Sequence, residues 1–94
     1  MGMNMTASMN FINGINNAIS NGNCIQVIFE KGDSLGISID FFPNEIIIGD
    51  NGKITIFDNA DNIISLIPDS IVYDPDIFAY VCSGDQYGQI LFEL

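Results

Sequence analysis

The hydrophobic period of this chain changes once, near residue 23, from spacings of three and four to simple alternation. That single switch dictates one N-terminal helix followed only by strands. Over residues 5–20, Met5, Met9, Ile12, Ile15 and Ile19 recur at helical spacing, and Phe11 and Ala18 widen the same arc. Asn10, Asn13 and Asn17 fall on the opposite face. Asn21-Gly22 supplies the stop, because glycine enters the left-handed conformation at a helix C-terminus without a Cβ clash. Asparagine is a weak helix former and Gly14 costs about 1 kcal/mol against alanine. The helix therefore depends on packing for its stability.

From residue 23 onward side chains alternate between two faces. Ile25, Val27 and Phe29 alternate with Gln26 and Glu30, although Ile28 makes the second face partly apolar. Leu35, Ile37, Ile39 and Phe41 alternate cleanly with Gly36, Ser38 and Asp40. The candidate strands are about 24–30, 35–41, 45–50, 53–58, 63–67, 71–73, 77–82 and 87–93. Turn chemistry separates them: Lys31-Gly32-Asp33-Ser34, Pro43-Asn44, Pro68-Asp69-Ser70, Asp74-Pro75-Asp76 and Ser83-Gly84-Asp85-Gln86. Asp50-Asn51-Gly52 is the strongest hairpin signal, read as a type I′ turn with positive φ at both central residues. The expected fold is α+β, a single domain over residues 1–94. One N-terminal amphipathic helix covers an antiparallel meander of about five to seven short strands.

The chain is long enough for one core and too short for two. Its 48% hydrophobic content, with seven Phe and three Tyr, separates it from acidic disordered tails. No apolar run reaches the roughly 20 residues that span a bilayer, and no basic segment leads an apolar one as in a secretory signal. A cytoplasmic protein, of bacterial or viral type, is the expectation. Gly2 to Thr6 matches a myristoylation pattern, but no polybasic patch supplies the second membrane signal. Asn4-Met5-Thr6 is a glycosylation sequon, idle without a secretory route.

Charge narrows the function. Twelve carboxylates face two lysines, Lys31 and Lys53, with no arginine or histidine, for a formal net charge of −10. Phosphate binding needs lysine and arginine to displace counterions, so direct nucleic-acid binding is excluded and basic protein partners are favoured. The first charged residue is Glu30, so the helical third carries none. Asp58, Asp61, Asp69, Asp74, Asp76 and Asp85 fall in connections, which run over the surface, and these six are the candidate partner-binding residues.

Catalysis is not expected. Nucleophilic triads draw on a histidine base, and none exists here. Cys24 and Cys82 are too few and too distant for a zinc site or a disulfide framework, and each sits in an apolar run where cysteine behaves as a buried hydrophobe. The paired aspartates Asp58 with Asp61 and Asp74 with Asp76 sit where aspartate serves turns. Asp50, Asn51, Asp58, Asn59, Asp61 and Asn62 are hard oxygen donors suited to calcium, but the EF-hand spacing is not matched. No cofactor or metal is implied.

In size, acidity and lack of catalytic residues the chain is similar to small phage-encoded anti-defence proteins, including anti-CRISPR inhibitors and other nucleic-acid mimics. The stretch FAYVCSGDQYGQILFEL, Phe78 to Leu94, looks like the closing strands of some bacterial toxin-immunity proteins. The expectation is an inhibitor or regulator that presents carboxylates to a basic protein, such as a nucleic-acid-binding one. The alternatives are a toxin-immunity-like protein and an assembly subunit that homo-oligomerises through apolar sheet contacts.

Overall fold

A computed structural model describes residues 5–30, 36–84 and 88–94, with the side chain of Met5 left aside. The myristoylation pattern and the sequon therefore lie largely outside the described residues. So do Lys31, most of the first hairpin connection, and Asp85.

Helix α1 spans Met5–Asn21. Its end is held as the Asn-Gly pair implies. Gly22 has φ +66°, its N–H donates to the Ile19 carbonyl at 3.3 Å, and the Asn23 N–H donates to the Ala18 carbonyl at 2.9 Å. These two bonds form a Schellman cap, which satisfies carbonyls the helix leaves open. The buried arc consists of Ala7, Phe11, Ile15 and Ala18, with Ile12 and Ile19 half-buried. Met9, expected inside, is 59% exposed. The face is rotated because the helix seats against β3 (Pro43–Ile48) and β6 (Ser70–Asp74), a cleft that favours the Phe11–Ile15–Ala18 row. Gly14 gives room to the side chain of Leu94, which a Cβ there would displace.

The remaining strands are β1 (Ile25–Glu30), β2 (Ile37–Phe41), β4 (Ile54–Asp58), β5 (Ile63–Leu66), β7 (Ala79–Gly84) and β8 (Gly88–Glu93). All described pairings are antiparallel, as expected, but eight strands form two sheets rather than one meander of five to seven. One sheet has the order β2-β1-β8-β7-β6 and the other β3-β4-β5. The C-terminal strand β8 inserts between β1 and β7, so the sheet joins the two halves of the chain. The break after β2 is Phe42 alone, and Pro43-Asn44, expected as a turn, already belong to β3. Pro43 opens β3, which lies at an edge of its sheet, where a missing N–H is tolerated. Asp69 marks the return, its N–H donating to the Ser83 carbonyl at 2.7 Å.

The three elements share one core. Phe11 and Ile15 of the helix meet Ile25, Val27, Phe41, Ile90 and Phe92 of the larger sheet and Ile54, Ile56, Ile64 and Leu66 of the smaller. Phe11 lies edge-on to Phe92 with ring centroids 4.9 Å apart. The β3–β4 hairpin differs from the expected type I′ turn. Among its residues only Gly52 has positive φ, at +83°, and the Gly52 N–H donates to the Gly49 carbonyl at 3.1 Å. The Asn51 side chain accepts the Lys53 N–H at 3.1 Å, which stabilises a three-residue loop in place of a two-residue one.

Candidate partner-binding surface

The six loop carboxylates do not converge. Asp58 and Asp61 belong to the β4–β5 connection of the smaller sheet. Asp69 stands at one end of the larger sheet, beside Ser83, whereas Asp74 and Asp76 stand at the β6–β7 turn, the opposite end of β6. Asp85 lies outside the described residues.

Within these turns the aspartates bind backbone. Asp58 Oδ1 accepts the N–H groups of Ala60 and Asn62, each at 2.8 Å, and Oδ2 accepts the Asn62 side-chain amide at 2.8 Å. Those bonds, with the Asn62 amide first, hold the Asp58 carboxyl below its usual value of 3.8. They let the chain reverse through Asp61, whose φ is +66°. Asp74 Oδ1 likewise accepts the Asp76 N–H at 2.9 Å. No three Asp, Glu or Cys side chains come together as a metal-holding group among the described residues.

A depressed carboxyl value contributes stability that is present above the unfolded value and lost as pH falls through the folded one. The β4–β5 loop should therefore open selectively below about pH 4, the range bounded by the 3.8 reference value. Amide exchange of Ala60 and Asn62 measured from pH 6 down to pH 3, after correction for intrinsic rates, checks this. Asp58→Ala should show the open-loop behaviour at every pH.

Cys24 and Cys82 are both free. Cys24 is exposed in the link before β1, not buried as its apolar neighbourhood implied, because the strand starts one residue later. Cys82 is buried in the main core, and that burial pushes its thiol up to about 12. A thiol so raised carries almost no thiolate at neutral pH, and thiolate is the reactive form. In the folded protein iodoacetamide should label Cys24 alone, and Cys82 should react only in denaturant. Mass spectrometry of the alkylated chain reads both.

What the larger sheet brings together is its outer face. Its inner residues, such as Ile25, Val27, Ile90 and Phe92, belong to the main core, so the intervening ones point away. Strand register aligns the outward residues in three rows. Asp40, Gln26 and Glu93 lie in one row, which continues through Ala79 and Asp74. Ser38, Ile28, Leu91, Val81 and Val72 form the middle row across all five strands. Glu30, Gln89, Ser83 and Ser70 form the third. A 2.8 Å bond from the Gln26 side chain to the Ser38 hydroxyl confirms that these two share a face.

Val81 and Leu91 of the middle row form a separate apolar cluster with Ala79 of the first row, with Ile28 packed against them, to which neither the helix nor the smaller sheet contributes. Carboxylates flank it on both sides. No known protein family, curated protein or solved structure matches this chain. The surface must accordingly be read from its own chemistry.

Glu30, Asp40 and Glu93 were not among the residues singled out from sequence. Their signal was present, since each alternates with inward apolar residues on a strand. Turn aspartates are exposed wherever they fall, whereas strand register gathers charges from strands distant in sequence.

Proposed function

We propose that this chain acts by binding, as a small acidic inhibitor or regulator of a protein with a basic surface, of the kind nucleic-acid-binding proteins carry. One observation supports the reading above others: the outer face of the larger sheet sets four carboxylates, Asp40, Glu93, Asp74 and Glu30, around an apolar row that is buried at Val81 and Leu91, exposed at Val72, and packed by neither the helix nor the smaller sheet. Among the described residues no polar or charged side chain is buried. The negative field is thus carried at the surface, where it steers a cationic partner and repels nucleic acid and anionic membrane. The exposed face of the helix carries no charge, which favours the larger sheet as the surface that meets a cationic partner.

Affinity capture from a host lysate, run at low and high salt with the captured proteins identified, tests this. The expected result is a basic protein whose association slows by about 10- to 1,000-fold between the two conditions. Capture that salt does not weaken would reject an electrostatic partner.

A second reading, assembly of identical subunits, has a separate observation behind it. The outer side of the smaller sheet leaves Ile47 and Ile63 exposed, and Ile67 beyond β5 is exposed as well. Light scattering separates the two readings, since a stable homo-oligomer favours assembly and a monomer favours a foreign partner.

A further inference from the structure

The outer face is a groove with two charged ends. Val81 and Leu91 form its floor, at 9% and 7% exposure, while Val72 and Ile77 rise at its rim, at 46% and 43%. Glu30 and Asp74 also line it. By register these two stand at opposite corners, with Leu91 and Val81 on the diagonal between them. Three strand spacings across and four residues along place the corners about 20 Å apart. The β6–β7 turn carries Ile77 and the adjacent Phe78, which is exposed and held at φ +53°, an uncommon conformation for a bulky residue. The concavity measures about 550 Å3, a size that small-molecule sites share. Its two charged groups stand at its ends and do not converge on a point, an arrangement suited to an elongated occupant.

We infer that this groove receives one amphipathic helix of a basic partner protein, laid along the Glu30–Asp74 diagonal; the inference rests on the binding reading above. The floor and the length of the groove both favour a helix. The floor belongs to β7 and β8, interior strands whose backbone groups are already paired on both sides. An extended peptide would find no ladder bonds there, whereas a helix satisfies its own backbone. A helix of about 13 residues is about 20 Å long, matching the diagonal. Its apolar stripe at i, i+3, i+4 and i+7 covers Leu91 and Val81, and lysines or arginines at its two ends meet Glu30 and Asp74.

A second copy of this chain does not suit the groove. Its helix α1 carries no charged residue, and two copies at −10 each repel one another. Charge complementarity therefore assigns the occupant to a cationic partner.

The probe is a synthetic 14-residue helical peptide with leucines along one stripe and lysines flanking it, titrated into 15N-labelled protein at low salt. A second peptide replaces every leucine with serine at unchanged charge. The expected shifts fall on Ile28, Val72, Val81 and Leu91, and the serine peptide produces none of them. The double variant Glu30→Gln/Asp74→Asn should weaken the leucine peptide by about 2- to 30-fold. The rim variant Val72→Ser/Ile77→Ser, at exposed positions that leave the core intact, should weaken it as well. Shifts centred on residues 58–62 or on the smaller sheet would overturn the groove while leaving an acidic binding protein standing. Equal binding of the serine peptide would do the same. Failure of both peptides at low salt would overturn the groove, while capture at two salts decides the binding reading by itself.

Discussion

Replacing Phe11 by alanine should lower stability by about 3–5 kcal/mol and the melting midpoint by about 15–30 °C. A chain of this length has only about 5–14 kcal/mol in total. Phe11 is fully buried, and its ring meets Phe92 at 4.9 Å and Tyr80 at 5.7 Å, so truncation loses transfer energy, leaves a cavity and removes two aromatic contacts. Met9→Ala, two residues earlier on the same helix, should change stability by less than about 0.5 kcal/mol, as exposed sites do. Thermal melts of the two variants test the rotated helix face. Equal losses would return Met9 to the core.

Ile56→Asp should unfold the whole molecule at neutral pH. Ile56 is fully buried at the centre of the smaller sheet, between Ile46 and Ile64. An unpaired carboxylate there costs about 4 kcal/mol or more. The reporter lies elsewhere, which is what makes the result informative. The chain has no tryptophan, and its described tyrosines, Tyr73 and Tyr80, pack edge to face 5.0 Å apart in the larger sheet. If helix and both sheets share one core, the near-ultraviolet tyrosine signal disappears although no tyrosine was touched. A retained signal would mean that the smaller sheet melts alone.

Much of this architecture could be read from the sequence, because periodicity records which side chains turn inward. The Asn21-Gly22 stop became the cap it implies, and the alternation over 35–41 became a strand over 37–41, whose apolar face is buried at Phe41 but left 65% exposed at Ile37. Pairing partners were not readable. Nothing local in residues 88–93 says that β8 lies beside β1, since that contact joins opposite ends of the chain. The split into two sheets was equally hidden, because inward residues of both sheets have the same chemistry. Met9 misled for a related reason: helical spacing defines a broad arc, and only the neighbouring strands select its centre.

The candidate surface was half legible. Ile28 broke the alternation of its strand, and the continuous run Ile90-Leu91-Phe92 put an apolar residue, Leu91, at an outward position. Each signals a face that is apolar on both sides. Their alignment into one row with Val81 and Val72, flanked by Glu30, Asp40, Asp74 and Glu93, follows from register alone. The turn aspartates, by contrast, are dispersed, and Asp58 and Asp74 use their oxygens to hold loops.

Which carboxylates make the contact is decided by the outer face in this reading of the molecule. The deciding measurement is the affinity of a captured basic partner for two neutralised variants, each checked by circular dichroism for native structure. One carries Glu30→Gln, Asp40→Asn, Asp74→Asn and Glu93→Gln; the other carries Asp61→Asn, Asp69→Asn and Asp76→Asn. The outer-face variant should lose most of the affinity and its salt dependence, while the loop variant binds nearly as the original chain does. Binding that survives the outer-face changes and collapses in the loop variant would contradict the account.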